Sequence, residues 1–257
     1  MASLSRFGFL ARPMWIGFHL LCAVAVVAMF AAGFWQLRRL DERKTNNAEF
    51  VTQIEQPAVP FDDLRATIGT DPDSVVNRRV IVSGTYSPDQ VVLFNRSQGG
   101  RAVDNVLTPL LLPPGGNGEQ TSTLIVNRGA IGVGVAPPVP FPGEVQIVGR
   151  LRPSESRERG SLTDAEQEVV TEVRRVDLDQ LGQLADDGEL VPMYVVLLQS
   201  DPAVGPDDPT LLDPPELSEG NHLSYSVQWF IFAAAVAVGW VLAVRRSLAT
   251  RRRASGR

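Results

Sequence analysis

Two long apolar stretches, one near each end of the chain, dominate its pattern of hydrophobic and polar positions. Residues 13–37 and 223–244 contain no charged side chain. About 20 apolar residues are enough for a helix to cross a bilayer. Each stretch is therefore predicted to be a transmembrane helix, and we expect the two to pack as an antiparallel hairpin.

The first apolar stretch has a second interpretation, a cleaved signal peptide. The small residues Ala31, Ala32 and Gly33 offer a cleavage site. However, the stretch is longer than the ~7–15 apolar residues of a signal core, and cleavage there would remove most of it. We therefore expect an uncleaved anchor.

Between the two stretches the apolar positions fall into short runs, rich in Val, Ile and Leu and separated by Gly, Pro, Asn and Asp. Such runs are typical of β-strands. Seven strands are predicted, at residues 79–83, 91–95, 103–112, 124–127, 144–151, 168–176 and 193–199. One helix is predicted at 177–186, because leucines recur there every three residues and Asp177 suits the N-cap position.

The expected fold class is a membrane-anchored α+β protein, in which two transmembrane helices flank a β-rich extracytoplasmic domain. That domain is expected to be a small sandwich or an open barrel. Residues 38–56 are charged and are predicted to continue the first helix until it frays at Thr45, Asn46 and Asn47. Residues 152–163 are predicted to be a solvated loop. The proline-rich residues 201–219 are predicted to form an extended tether into the second span.

Charge divides the chain more sharply than its net −5 indicates. Residues 38–224 carry 16 basic and all 29 acidic side chains, a net −13, whereas the terminal segments carry eight Arg and no acid. Translocation of short basic segments is disfavoured. Both termini are therefore expected in the cytoplasm and the acidic middle outside a cell membrane, although basic residues at positions 38, 39, 43 and 44 oppose this orientation.

These observations together predict a domain organisation in five parts. They are a basic leader at 1–12, a first span at 13–37, an extracytoplasmic domain with its linkers at 38–222, a second span at 223–244 and a basic tail at 245–257.

Residues suited to catalysis are scarce. The chain has two histidines and one cysteine, and Cys22 lies inside the first predicted span. Gly129, Gly132 and Gly134 are followed by prolines instead of a helix, so they predict a turn and not a dinucleotide-binding loop. The acidic pairs at 62–63, 186–187 and 207–208 fall in predicted loops and are expected on a solvated surface. We expect no enzymatic activity and no nucleic-acid partner.

Polar and aromatic residues collect where the second span begins. His222, Tyr225, Ser226 and Trp229 recur at the i, i+3, i+4 and i+7 positions of one helix face. An antiparallel hairpin would bring Gln228 and Trp229 near the level of two residues that end the first span, Trp35 and Gln36. Buried polar groups need partners. The pattern therefore predicts either a polar anchor with an interhelical hydrogen bond or the rim of a ligand or partner site.

Three segments, in this order, resemble motifs of the surfeit-one family. They are Gly-Phe-Trp-Gln-Leu-Arg-Arg at 33–39, Leu-Ile-Val-Asn-Arg-Gly at 124–129 and Asn-His-Leu-Ser-Tyr-Ser-Val-Gln-Trp-Phe at 221–230. The chain departs from the first motif at Arg43-Lys44, where the family usually has Trp-Lys. Within this family, the chain resembles an actinobacterial-like bacterial member. The resemblance implies that the protein is an assembly factor for haem-copper cytochrome c oxidase. Such a factor would assist haem a insertion into the core subunit or stabilise that subunit.

The resemblance also implies a site and partners. His222 would hold the iron of haem a as an axial ligand. The residues around the cofactor would be Tyr225, Gln228, Trp229, Trp35 and Gln36. The partners would be the oxidase core subunit, haem a synthase as a further candidate, and the lipid bilayer. The alternative is a structural scaffold or membrane-anchored interaction protein of a respiratory complex that binds no haem.

Two further residues, His19 and Arg128, are not part of this implied site. His19 lies 16 residues before Trp35, about 24 Å along a helix. We therefore expect His19 near the opposite membrane face, packed against the second span or facing headgroups, and not as a second ligand. Arg128 ends an apolar run, which is compatible with a surface charge or, by the resemblance, with a role in packing or partner binding.

Phosphatase fusions test the predicted orientation. Because both tails are basic, a phosphatase that works only outside the cytoplasm is expected to be inactive when fused after Arg257. The sequence Pro-Pro-Gly-Gly at 113–116 predicts a loop in the acidic middle of the chain, and the same enzyme is expected to be active when fused there. Activity of the C-terminal fusion would contradict the orientation.

Overall fold

The computed structural model of the protein describes residues 10, 12–114, 121–155, 170–185 and 188–254. The chain divides into two compact units. A helical unit comprises Met1–Ala48 and Glu216–Arg257, and a β-rich unit comprises Glu49–Pro215. The predicted acidic pair at 186–187, most of the predicted loop at 152–163 and the start of the predicted strand at 168–176 lie outside the described residues.

The helical unit contains two long helices, α1 (Pro13–Glu55) and α4 (His222–Ala254). Both are long and apolar enough to cross a membrane, which is compatible with a two-pass membrane protein. They run antiparallel, since the ring of Phe30 contacts that of Phe230 and the ring of His19 contacts that of Trp240. The helices approach closely at Gly33, where a Cβ would lie only 2.6 Å from the Phe230 ring.

Helix α1 does not fray at Thr45, Asn46 and Asn47, so that prediction was wrong. The helix continues to Glu55. Polar side chains in this stretch bind the segment before α4: Asn47 donates to the carbonyl of Leu217 at 3.0 Å, and Lys44 lies 3.7 Å from Glu219. Asn favours helix ends when its side chain bonds to nearby backbone, and here the side chain of Asn47 bonds elsewhere.

The β-rich unit is built on one mixed sheet. Its strands are β1 (Val59–Pro60), β2 (Arg79–Tyr86), β3 (Val91–Gln98), β4 (Arg101–Leu112), β5 (Ser122–Ile131), β6 (Glu144–Pro153), β7 (Glu172–Val173) and β8 (Glu189–Asp201). Their order is β1-β2-β6-β8-β5-β4-β3-β7. The pairs β1–β2, β3–β7 and β5–β8 are parallel, and the others are antiparallel.

An additional pairing connects β2 to β4 through Thr85–Leu111 and Tyr86–Leu110. The strands β2, β6, β8, β5 and β4 therefore form a closed circuit of hydrogen-bonded neighbours. The expectation of a β-rich region between two long apolar helices is confirmed. The predicted strand at 168–176 is much shorter than expected, since its described part pairs only at Glu172–Val173.

Two short helices accompany the sheet. Helix α3 (Leu178–Leu181) was predicted, and Asp177 caps it by accepting a hydrogen bond from the Asp179 N–H at 3.2 Å. Helix α2 (Asp62–Thr70) was not predicted, and the loop expected at 62–63 was wrong. Its two acids occupy the first turn, where the helix dipole favours negative charge, while Ile68 is buried beneath.

Strand β5 is buried on both faces. Leu124 and Val126 belong to one apolar cluster, with Ile147 and Met193, whereas the intervening Ile125 belongs to a second cluster. Burial of each such side chain contributes about 1.5–3 kcal/mol. Burial on both faces explains why residues 124–126 are uniformly apolar and do not alternate with polar residues.

Substitution of Gly84 tests the junction between β2 and β4. A Cβ at Gly84 would lie 2.5 Å from the backbone oxygen of Leu111, whereas at Gly69 in α2 it would meet nothing within 4 Å. Because backbone cannot rotate away, Gly84→Ala is expected to lower the free energy of unfolding by about 1–3 kcal/mol. Gly69→Ala is the matched control and should be neutral or slightly stabilising. Equal thermal unfolding temperatures for Gly84→Ala and Gly69→Ala would contradict the close contact between β2 and β4.

Candidate functional site

His222 and Gln36 form a hydrogen bond between the two long helices. The half-buried imidazole of His222 begins α4, and its Nδ1 lies 2.8 Å from Oε1 of Gln36. An amide oxygen only accepts hydrogen bonds, so Nδ1 is the donor, and in the neutral imidazole Nε2 then holds the lone pair. The contact therefore sets both the orientation and the tautomer of the ring.

Neighbouring residues fix this contact in place. Four residues along α4, the hydroxyl of Ser226 donates to the backbone oxygen of Gly33 at 3.1 Å. Ser226 is buried, and this bond joins α4 to Gly33, where the two helices lie close together. On the other side of the ring, a Cβ at Gly220 would lie 3.5 Å from Nε2. Because residue 220 is glycine, it places no side chain against the Nε2 edge of His222.

The other predicted site residues take no part in the hydrogen bond between His222 and Gln36. Trp35 and Tyr225 are each 51% exposed. Gln228 is exposed, and half-buried Trp229 packs edge-on against Phe232 of its own helix. The structure thus joins Gln36 to His222 and not to Gln228, while the aromatic side chains of Trp35 and Tyr225 present open surfaces.

His19 has the opposite tautomer. The indole N–H of Trp240 donates to Nδ1 of His19 at 2.7 Å, so the proton of a neutral imidazole is on Nε2. The prediction that His19 packs against the second long helix is confirmed. Neither of its ring nitrogens offers a free lone pair.

The described residues contain no group of three or more His, Cys, Asp or Glu side chains that could hold a metal ion. The described part of the chain therefore offers no set of side chains that could hold a metal ion without other ligands. The free Nε2 of His222 suits a metal that brings most of its own ligands.

A second polar cluster surrounds Arg128 in the β-rich unit. Arg128 lies on β5 and is 4% exposed. Its Nη2 donates to Oδ1 of Asp208 at 2.6 Å, and its Nη1 donates to Oε1 of Gln90 at 3.0 Å and to the Pro138 oxygen at 3.3 Å. Its guanidinium carbon lies 5.4 Å from the centre of the Tyr86 ring. Of the two alternatives left open for Arg128, the surface charge is wrong, because the side chain is buried on β5 and its cation requires a counter-charge.

The segment after β8 folds back onto the end of β5. Ala130 and Thr210 exchange both backbone hydrogen bonds, at 2.7 and 2.8 Å. Gly129 has φ +131°, and a Cβ there would lie 2.3 Å from the Thr210 oxygen, so the close approach requires glycine. The tether predicted at 201–219 was therefore wrong for its first half, and Asp208 is not the solvated acid that was expected.

Burial raises the pKa of Tyr86 to about 12; the nearby Arg128 opposes the rise, and Asp208 adds to it. The hydroxyl of Tyr86 is buried and has no hydrogen-bond partner among the described residues. Sequence reasoning missed Tyr86, Gln90 and Asp208, since they lie far from Arg128 along the chain. The one available indication was a charged residue directly after an apolar run.

Alkaline titration tests the Arg128 cluster. The pKa of Tyr86 rises from 10.0 to about 12 on folding, so the neutral phenol is favoured in the folded state. Its contribution to stability is fully present below pH 10 and is lost as the pH approaches 12. The tyrosinate absorbance of the intact protein should include one group that titrates near pH 12 and that is missing from Tyr86→Phe. Asp208→Asn should lower its midpoint, and a midpoint near 10 in the intact protein would contradict the burial.

Comparison with known proteins places these residues in context. The sequence model of the SURF1 family matches residues 23–234, which include His222, Gln36 and Arg128. Uncharacterized SURF1-like proteins of Mycobacterium bovis and Mycobacterium tuberculosis are each 28% identical over 245 residues, which is 91% of this chain and 84% of each relative. The family match covers most of α1, the β-rich unit and the beginning of α4. This chain belongs to the SURF1 family.

Proposed function

We propose that this protein is an assembly factor for haem-copper cytochrome c oxidase and not an enzyme. In this proposal it assists haem a insertion into the core subunit of the oxidase, or stabilises that subunit. Membership of the SURF1 family supports the general role. The core subunit is the proposed partner, with haem a synthase as a further candidate.

The observation that carries the haem proposal is the hydrogen bond from His222 Nδ1–H to Gln36 Oε1 at 2.8 Å. Metal-binding histidines commonly donate their other ring N–H to a fixed acceptor, which orients the ring and raises its basicity. Gln36 acts in this way for His222. The hydrogen bond that His19 Nδ1 accepts from Trp240 supports a structural role for His19 instead of a ligand role.

The residues around His222 fit a porphyrin. Haem a, when bound, supplies the iron and four of its ligand nitrogens, so one imidazole with a free Nε2 is sufficient on the protein side. The half-exposed aromatic faces of Trp35 and Tyr225 offer surface for a flat apolar ring. Ser226 holds α4 against α1, which keeps the imidazole at a fixed height. Trp229 and Gln228 complete the proposed rim of the site.

The proposed location is the cell membrane. Helices α1 and α4 would span it, both basic termini would be cytoplasmic, and the β-rich unit would be extracytoplasmic. We interpret the closed circuit of strands as a small, partly open barrel. The β2–β4 closure has two residue pairs, whereas β2–β6 has seven.

One observation favours the alternative of a scaffold that binds no haem. Residues 129–143 carry no charged side chain in an otherwise acidic region. Among the described residues of the β-rich unit, this loop holds the exposed large hydrophobic side chains, which are Val133, Val135, Val139 and Phe141. Clustered apolar side chains on a surface are typical of interaction sites. A scaffold would use this loop to hold its partner.

Histidine variants separate the two functions. After expression in a host that makes haem a, the detergent-purified protein is expected to carry a haem absorption band. His222→Ala should lose or strongly shift that band, because the free Nε2 is removed. His19→Ala is the matched control and should leave it unchanged. Gln36→Leu should weaken haem binding by about 10–100-fold, since the ring loses its orienting partner.

Complementation of a deletion strain provides the functional measurement. The intact protein and His19→Ala are expected to restore haem-a-containing oxidase, as measured by its visible spectrum, and His222→Ala is expected to fail. A haem band unshifted in His222→Ala would remove this residue from the site. Full complementation by His222→Ala would favour the scaffold.

A further inference from the structure

A cavity of about 150 Å³ lies beside Arg128 in the β-rich unit. Tyr86, Arg128, Val145 and Leu197 line it from the strands β2, β5, β6 and β8. Residues 202–205 and 208–209, on the segment after β8, line its other side. A water molecule occupies about 30 Å³ in the liquid, so the cavity has room for a small organic molecule. We call residues 202–209 the covering segment.

The charge of Arg128 is neutralised by the covering segment. Its hydrogen-bond partners on the other side of the guanidinium, the Gln90 amide and the Pro138 carbonyl, are neutral. Asp208 supplies the one carboxylate bonded to Arg128 among the described residues. The Asp208 side chain is 33% exposed, whereas that of Arg128 is 5% exposed. The carboxylate is therefore at the solvent side of a buried cation.

One polar atom of the cluster has no hydrogen-bond partner among the described residues. The Tyr86 hydroxyl is buried without a partner, and leaving such a group unpaired is unfavourable. Asp208 is already engaged twice, since its Oδ2 accepts from the backbone N–H of Gly205 at 2.9 Å. A second carboxylate would provide the acceptor oxygens that Tyr86 lacks. The remaining walls are largely apolar, from Phe141, Val145, Leu197, Val204 and Pro209.

We propose that this cavity binds a short aliphatic carboxylate. Its charged group takes the place of Asp208 at Arg128 and accepts from the Tyr86 hydroxyl, while its hydrocarbon end lies among the apolar walls. Asp208 acts as an internal competitor that holds the covering segment closed until the ligand binds. This site is independent of the proposed haem contact, because its residues all belong to the β-rich unit.

The covering segment is anchored in a way that permits this exchange. At one end Asp201 pairs with Gln146 of β6, and at the other Thr210 pairs with Ala130. Between these two anchors, Asp208 bonds to Arg128 and to Gly205 within its own turn. Val204 also packs against the apolar cluster of the sheet. Displacement of one carboxylate therefore removes the ion pair that holds the middle of the segment to Arg128, while both ends stay attached.

Calorimetric titration of the full chain in detergent with sodium butyrate tests the proposal. Saturable binding is expected for the intact protein, and Asp208→Asn should bind butyrate at least tenfold more tightly because the internal competitor is removed. Arg128→Gln should abolish binding. Butyramide and sodium chloride at equal concentration are the controls for shape and ionic strength, and neither should bind.

Three results would overturn the proposal. They are no saturable binding of butyrate to either the intact protein or Asp208→Asn, equal binding of butyramide, and Asp208→Asn affinity no higher than that of the intact protein. If Arg128→Gln does not fold, the proposal is decided by whether Asp208→Asn binds butyrate more tightly than the intact protein does. Tyr86→Phe serves as a second variant, with an expected severalfold loss of affinity and an unchanged preference for butyrate over butyramide.

Discussion

The need to pair polar groups in apolar surroundings determines the organisation of both units. In the β-rich unit the constraint acts on Arg128, a cation on a strand whose two faces are covered. A buried charge is stable only with a partner and further hydrogen bonds. Asp208 provides the partner, and the segment after β8 must fold back onto β5 to deliver it. The motif at 126–129 therefore determines where a segment eighty residues away lies.

The same constraint acts between the two long helices. Their apolar sequences contain few polar side chains, and three hydrogen bonds across the helix contact engage five of these. Gln36 accepts from His222, Trp240 donates to His19, and Ser226 donates to the oxygen of Gly33. Each bond requires a particular pairing of residues on α1 and α4. Together they set the register of the helix pair more specifically than apolar packing alone would.

The two histidines show how such bonds assign different chemistry to the same residue type. Imidazole has two nitrogens, and the partner of one determines the state of the other. An acceptor beside His222 leaves its Nε2 with a lone pair, whereas a donor beside His19 occupies the lone pair of its Nδ1. The neutral ring of His222 thereby keeps a lone pair on Nε2, whereas His19 is a structural contact between the helices.

The local pattern of the sequence was sufficient for the elements whose cause is local. Length and the absence of charge predicted the two apolar helices, runs of Val, Ile and Leu predicted most of the strands, and Asp177 predicted the cap of α3. The order of three motifs was enough to indicate the family that the comparison then confirmed. His222 could be singled out from the sequence because a histidine at the start of an apolar helix needs a polar partner or a ligand.

Tertiary structure alone decided the contacts between residues that are distant along the chain. Helix α1 remains helical through Asn47 because that side chain bonds to Leu217, a residue from the other end of the sequence. Gln36 bonds to His222 and not to Gln228 because the register of the helices depends on Gly33 and Phe230. The surroundings of Arg128 combine β2, β5 and the segment after β8. Periodicity reports which face of an element is buried, whereas the partner on that face depends on how all the elements pack.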